Sequence, residues 1–452
     1  MGKRKLKKWI SNLIILLILF SFVLFFIWFL NKDEETKPTD SQTPSENVPS
    51  KPDDNSGDDE QKPTQDSPNG GEQKPDDGDN PVENTTFLNK VVNREKLNDE
   101  QLKLITNFLD TYYKSIKDLK EYDMTKYFVN SNSEDALINQ TAVSVLVENR
   151  KLKPNDLRLS SAKYDLNIDE VKVSGNQIII KIFENSYIRF AFMDDIESKI
   201  YNITNNFTIE KINGEYKIVN YKKVQDFYVM ITDKYNNGGK NELDKIKDDY
   251  IKILKNKVAK DAENYQAFLN GTGINRKTCD HAYDRNSALN YALNWVNKRN
   301  TSEWSTFGSN CQNYASQVVY NGGVIMDYTG SDNSHLQWKF YDSSYNTSQV
   351  DKGYVYTWTY VPYFYTYAKD NTGTGLCADV DVNIYYAEAG DVVHVGPSAP
   401  TRHAVVVIGD YKVDGKTVDI LVNSNTVDLE NFPISAYAYP YVSLIKVYGW
   451  ND

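Results

Sequence analysis

Cys311 sits in the run Phe307-Gly308-Ser309-Asn310-Cys311-Gln312-Asn313-Tyr314-Ala315-Ser316-Gln317, followed by Val318-Val319-Tyr320-Asn321-Gly322-Gly323. Small polar residues before the cysteine predict a helix start, and the glycine pair predicts its stop. At a helix N-terminus the open backbone N–H groups and the macrodipole favour a thiolate. A thiolate is the attacking species of a cysteine hydrolase. Such an enzyme needs a base. Glu388 to Val395 reads as a strand entered from a turn, and Gly396-Pro397-Ser398-Ala399-Pro400 as a loop. His403-Ala404-Val405-Val406-Val407-Ile408-Gly409 reads as a second strand with His403 at its mouth, where an imidazole can accept the thiol proton. A further strand, Asp419 to Val422, leads into Asn423-Ser424-Asn425-Thr426-Val427-Asp428. A polar side chain there can hold the imidazole from behind.

Each of these residues has rivals. Cys279 and Cys377 read as small buried apolar residues or as a disulfide pair, which would leave Cys311 free. His394, inside the first strand, is the rival base, while His281 and His335 fit no useful spacing. The scattered histidines, with no His-Glu-x-x-His and no Cys-x-x-Cys, call for no metal. No cofactor motif is present, and Gly-x-Ser-x-Gly is absent. The aromatic stripe Tyr354, Tyr356, Trp358, Tyr360, Tyr363, Phe364, Tyr365 and Tyr367 reads as core or strand packing ahead of a sugar- or peptide-binding groove.

Residues from about 270 to 450 resemble the putative amidase domain of Gram-positive bacteria, a papain-like cysteine hydrolase group related to the NlpC/P60 and CHAP cell-wall peptidases. Tyr283 and Arg285 match its Tyr-x-Arg motif, Asn310 to Gln317 its Asp-Cys-Thr-Asn-Phe-x-Ser-Gln motif, and Gly390, Asp391 and His403 its Gly-Asp…His-strand motif. Ser424, Asn425, Thr426 and Asp428 follow its late motif loosely. The resemblance implies Cys311 as nucleophile, His403 as base and Asn425 as the orienting group; by residue type and position alone, Asn423 and Asp428 remain alternatives for that last role. It also implies that the Cys311 backbone N–H helps to hold the oxyanion. Asn310 stands where the family usually has Asp, Gln312 where it has Thr, Tyr314 where it has Phe, and Asn425 where a His is common.

The elements that must carry this chemistry form an α+β chain. Residues 86–235 read as a small α+β accessory domain. Leu102, Ile105, Leu109, Tyr112, Ile116 and Leu119 mark one helix face, with Asn98 and Gln101 as a capping box at its start. A second helix is predicted around 134–151. Segments 162–173, 177–184, 186–193, 201–211 and 215–224 are rich in β-branched and aromatic residues. Ser174-Gly175-Asn176 and Asn213-Gly214 read as hairpin turns between them. Helices followed by a curved antiparallel sheet resemble the nuclear-transport-factor-2-like (NTF2-like) cone. Residues 236–262 read as a connecting helix through Leu243, Ile246, Tyr250 and Leu254, and 263–452 as the hydrolase domain.

The N-terminal 85 residues read as targeting and spacing. Residues 1–8 form a basic tail with five positive charges. Trp9 to Leu30 is uncharged and, as a helix, would span about 33 Å, enough to cross a bilayer. It ends in bulky residues rather than a small-x-small cleavage site, so it reads as an uncleaved anchor. The charge flanks put the N-terminus in the cytoplasm and the rest outside. Residues 31–85 hold 16 acidic and five basic side chains and eight of the 14 prolines, and read as a disordered linker. The whole chain carries −11, but most of that lies in the linker, so the folded part suggests no nucleic-acid partner.

Two functions follow from these readings. The first is a membrane-anchored, outward-facing cysteine amidase acting on cell-wall peptide. The alternative is a non-catalytic cell-envelope binding or scaffold protein carrying a degenerate amidase domain.

Overall fold

The computed structural model describes residues 87–452 apart from 330–335, 349 and 399–401. The basic tail 1–8, the apolar span 9–30 and the acidic linker 31–85 lie outside the described residues, as does His335. Among the described residues no helix is long and apolar enough to cross a membrane.

The first part runs β1 (Leu88–Val92), α1 (Asp99–Asp118), α2 (Glu134–Lys151), β2 (Leu159–Ser174), β3 (Gln177–Phe190), β4 (Met193–Ile212) and β5 (Glu215–Val224). Helix α1 opens with the expected capping box: Asn98 accepts from the Gln101 N–H, and Gln101 accepts in return from the Asn98 N–H. Its apolar stripe, Ile105, Phe108, Leu109, Tyr112 and Ile116, is buried. The hairpins turn where the sequence indicated. Gly175, Asn213 and Gly214 all take positive φ, as two-residue hairpin loops require. The segments expected at 177–184 and 186–193 merge into the single strand β3 plus its turn.

Helix α3 (Asp226–Leu269) contains the connecting helix expected at 236–262 and is broken at Gly238 and Gly239. Leu243, Ile246, Tyr250 and Leu254 are buried, as their spacing indicates. There follow β6 (His281–Ala282), α4 (Arg285–Asn294), α5 (Cys311–Asn321), β7 (Val350–Asp351), β8 (Tyr354–Val355), α6 (Tyr356–Thr359) and α7 (Val361–Asp370). Then come β9 (Gly375–Val382), β10 (Val392–Gly396), β11 (His403–Val413), β12 (Lys416–Ser424), β13 (Asp428–Pro433) and β14 (Tyr441–Asn451). The aromatic stripe lies mostly on α6 and α7, not on a strand. Tyr354, Trp358, Phe364 and Tyr367 are fully buried, and Tyr360 is exposed.

All the strands except β7 and β8, which pair with each other, join into one sheet. Its order is β1-β2-β3-β4-β13-β12-β11-β10-β14-β6, with β5 on β4 and β9 on β14. Strand β4 makes the join: Thr204 to Ile212 pair with β5, and Lys199 to Tyr201 pair with β13. The segments 86–235 and 263–452 therefore share a sheet. They also share a core, in which Phe108 and Tyr113 cluster with Leu429, Phe432 and Val405, and both fall in one compact unit. The reason is strand length. Strand β4 outruns β5, and its unpaired N–H and C=O groups are satisfied by β13.

The C-terminal sheet is buried on both faces. Val393, Val395, Val405 and Val407 point into the shared core. Val392, Ala404, Val406 and Ile445 point into a second core with Val318 and Val319 of α5. This alternation decides which side each functional side chain occupies.

Candidate active site

Cys311 is the first residue of α5, which ends at Asn321 before Gly322 and Gly323. The cysteine is buried, with 5% exposure. Cys279 and Cys377 form a disulfide, so Cys311 is the free thiol. Asn310 precedes the helix without capping it. Its Oδ1 accepts from the Phe307 N–H at 3.2 Å and from Asn313 Nδ2 at 2.9 Å. Its Nδ2 donates to Asn425 Oδ1 at 2.6 Å, and its backbone N–H to Thr426 Oγ1 at 2.5 Å.

His394 lies on the α5 side of the sheet, since it shares the parity of Val392. Its Nε2 is 2.9 Å from Oε1 of Gln312, the residue after Cys311. The Gln312 amide also donates from Nε2 to Ser316 Oγ, which sets its oxygen toward the histidine. Nε2 of His394 then carries the proton and Nδ1 the lone pair, and Nδ1 is buried without a partner. Complete burial, with His403 nearby, pushes the His394 pKa down to about 3. The ring is neutral in any ordinary buffer.

His403 opens β11, as the sequence indicated. Its Nε2 lies 2.8 Å from Ser424 Oγ. It has the parity of Val405 and Val407, and it lines a cavity with Tyr112, Arg150 and Lys223 from the first part of the chain. The end of β12 and the turn after it reach both His403 and the start of the Cys311 helix: Ser424 meets His403, while Asn425 and Thr426 meet Asn310.

The side chain placed behind His403 is thus Ser424. Asn425 is committed elsewhere, because its amide also donates to the backbone carbonyls of Trp295 at 2.9 Å and Lys298 at 3.1 Å. The signal that could have singled out Ser424 is parity along β12. Ser424 shares a face with Val422, which points into the shared core as His403 does. Asn423 accepts from the Asn431 N–H, and Asp428 pairs with Arg299 at 2.9 Å, so neither meets a histidine.

The other motif residues form a clamp. Arg285 donates to Asp391 at 3.0 Å and to the Ala389 carbonyl at 2.9 Å. Lys446 meets the second Asp391 oxygen at 2.9 Å, and the Val447 N–H donates to the first at 3.0 Å. Tyr283 donates to the Gly390 carbonyl at 3.0 Å. Gly390 has φ +88, and a Cβ there would stand 2.8 Å from Ala288 Cβ. These contacts fasten α4 to β10 and β14 and so set where β10 presents His394.

Residues 282–449 match a family model described as a putative amidase domain, which suggests an amidase-like hydrolase. No curated protein matches the chain. Two solved structures from Novosphingobium aromaticivorans are similar to part of it. One, described as a putative scytalone dehydratase, is 10% identical and has a TM-score of 0.20, over 28% of this chain and 85% of that one. The other, described as a putative aromatic ring hydroxylase, is 12% identical with a TM-score of 0.19, over 29% and 96%.

Proposed function

We propose that the chain is a papain-like cysteine amidase. Cys311 attacks the amide carbonyl, its backbone N–H helps to hold the oxyanion, and His403 takes the thiol proton and returns it to the leaving amine. In the resting arrangement the side chain that meets the His403 ring is Ser424 rather than Asn425. The observation that carries this reading is the end of β12 with its turn, where Ser424 meets His403 and Thr426 meets Asn310 at the start of the Cys311 helix. His394 is less suited as the base, since a ring whose pKa lies near 3 does not retain a proton taken from a thiol. The reading requires the His403 ring to swing around the mouth of β11 toward Cys311, because β11 parity turns it to the other face. Catalytic contacts often tighten only when substrate binds. Peptide stems of the cell wall are the proposed substrate, reached from a membrane anchor at 9–30 across the linker 31–85.

The test is hydrolysis of purified cell wall, with released fragments identified by mass spectrometry, for the wild type and for Cys311→Ala, His403→Ala and His394→Ala. Loss in the first two with activity kept in the third supports the assignment. Loss in His394→Ala with activity kept in His403→Ala reverses the base. Full activity in Cys311→Ala removes the cysteine mechanism. For the anchor, proteolysis of intact cells should leave a short membrane-bound stub, and a mature N-terminus beyond Leu30 would refute it.

One observation favours a second reading, a non-catalytic envelope binding protein: the burial of Cys311. A thiol-reactive probe on the native protein separates the two. Fast labelling of Cys311 belongs to the enzyme, and labelling only on unfolding to the binding protein.

A further inference from the structure

A cavity of about 90 Å³ lies where the accessory helices and the curved sheet meet the C-terminal sheet. Tyr112, Ile116, Leu146 and Phe227 line it together with Leu429 and Phe432. The space exceeds that of a single water severalfold. Two cationic side chains reach it, Arg150 and Lys223, and no carboxylate lines it among the described residues.

The two cations are not in the same state. Lys223 Nζ has a counter-charge, Glu184 at 3.6 Å, and lies over the Tyr112 ring at 4.3 Å. Glu184 is itself held by Tyr113 and by Asn205. Arg150 has no such partner. It is 4% exposed, and its Nε and Nη1 are buried without a hydrogen bond. Its guanidinium rests against the Phe190 ring at 5.2 Å. A buried guanidinium with two unused donors and no facing carboxylate is unfavourable in an empty pocket, and favourable once an anion fills the fork. Its planar donors match a carboxylate in two-point geometry, and the remaining walls are apolar and aromatic.

We infer that this cavity is a binding site for a small organic monocarboxylate, whose carboxylate meets Arg150 and whose short apolar body packs between Leu146 and Leu429. Ser186 and His403 supply further polar groups on its wall. The cavity shares His403 with the hydrolytic chemistry proposed for Cys311, but its charge argument rests on Arg150 and stands whether or not Cys311 is a nucleophile. A neutral isostere of the same size forfeits the charged contact and leaves the guanidinium unpaired.

The test compares butyrate with butyramide on the full chain, by titration calorimetry and by the shift in melting temperature. Butyrate should bind at least tenfold more tightly and raise the melting temperature, while butyramide should leave it unchanged. Arg150→Met should weaken butyrate at least tenfold. It should also leave the ligand-free melting temperature unchanged or higher, because an unpaired buried charge is removed. A purely structural arginine would lower it. Should Arg150→Met not fold, Leu146→Phe takes its place, narrowing the same cavity without touching its charges, and must weaken butyrate as much. Equal shifts from the two probes, binding of neither, or wild-type affinity in the variant would overturn the site.

Discussion

Asn310 donates to Asn425 at 2.6 Å, joining the residue before Cys311 to the turn beyond β12. These are two positions at which the sequence departs from the family motif, and they are direct partners. Asn425 therefore holds the helix start in place and does not meet the base. Asn425→Ala leaves Asn310 Nδ2 and the carbonyls of Trp295 and Lys298 short of a partner, at a cost of about 2–3 kcal/mol. Denaturant melts should show that loss. Activity per folded molecule should fall with no change in the shape of the pH profile.

Ser424→Ala should behave in the opposite way. The hydroxyl meets His403 and the Thr426 carbonyl, so stability should fall by about 1 kcal/mol or less. If Ser424 orients the base, kcat should drop at least tenfold with KM little changed, and the acid limb of the rate profile should move. A variant with normal kcat and an unmoved limb would sever Ser424 from the chemistry.

Local signals in the sequence carried most of the elements. The Asn98 capping box, the Gly175 and Asn213-Gly214 turns, the span of α2 and the Gly322-Gly323 stop all act within a few residues, and all are present. The Cys311 helix start and the His403 strand mouth were readable for the same reason. Which face of the sheet each histidine takes was not. That depends on the pairing of Val395 with His403 and of His394 with Ala404, and on which core closes over each side. The pairing of β4 with β13 joins residues more than 200 apart, and nothing near either strand signals it. The pairing of Cys279 with Cys377 was one of the open options, since spacing alone does not decide between two buried thiols and a bridge.

His394 should govern the acid side of the stability curve. Its pKa is near 6.5 in the unfolded chain and is pushed down to about 3 in the fold. As pH falls from 6.5 toward 3, the unfolded chain takes up a proton that the folded one refuses. Stability therefore falls with acid, by at most about 1.4 kcal/mol per pH unit. Asp419 and Asp428 act with the opposite sign, since burial raises both and the folded state protonates first. The difference between wild type and His394→Leu isolates the histidine. The variant should show a shallower loss between pH 6.5 and 4.5, and equal slopes would mean that His394 is protonated in the folded protein.

The Asp391 clamp should be worth more than any surface ion pair. Asp391 is fully buried and faces Arg285 and Lys446. Asp391→Asn keeps the size but leaves two cations facing a neutral amide, at a cost of about 3–5 kcal/mol. Replacing an exposed partner such as Asp244, which pairs with Lys240 on α3, should cost well under 1 kcal/mol. Comparable losses from both variants would mean that the clamp is solvated.

Reducing agent should separate the stability of the domain from its chemistry. The Cys279–Cys377 bridge closes a loop of 98 residues and ties the segment before β6 to β9. Chain entropy alone assigns such a loop about 4–5 kcal/mol. Cys311 lies inside that loop, but β9 and β6 pair with β14 rather than with β10 or β11, the strands that carry the histidines. Reduction should therefore lower the melting temperature while leaving thiol-dependent hydrolysis intact at 25 °C. The same experiment counts thiols. Unfolded, unreduced protein should titrate one thiol per chain, the Cys311→Ala variant none, and reduced wild type three. One thiol lost on mutation with two still reactive would show that the bridge is not formed, and a melting temperature indifferent to reductant would show that it contributes nothing to the fold.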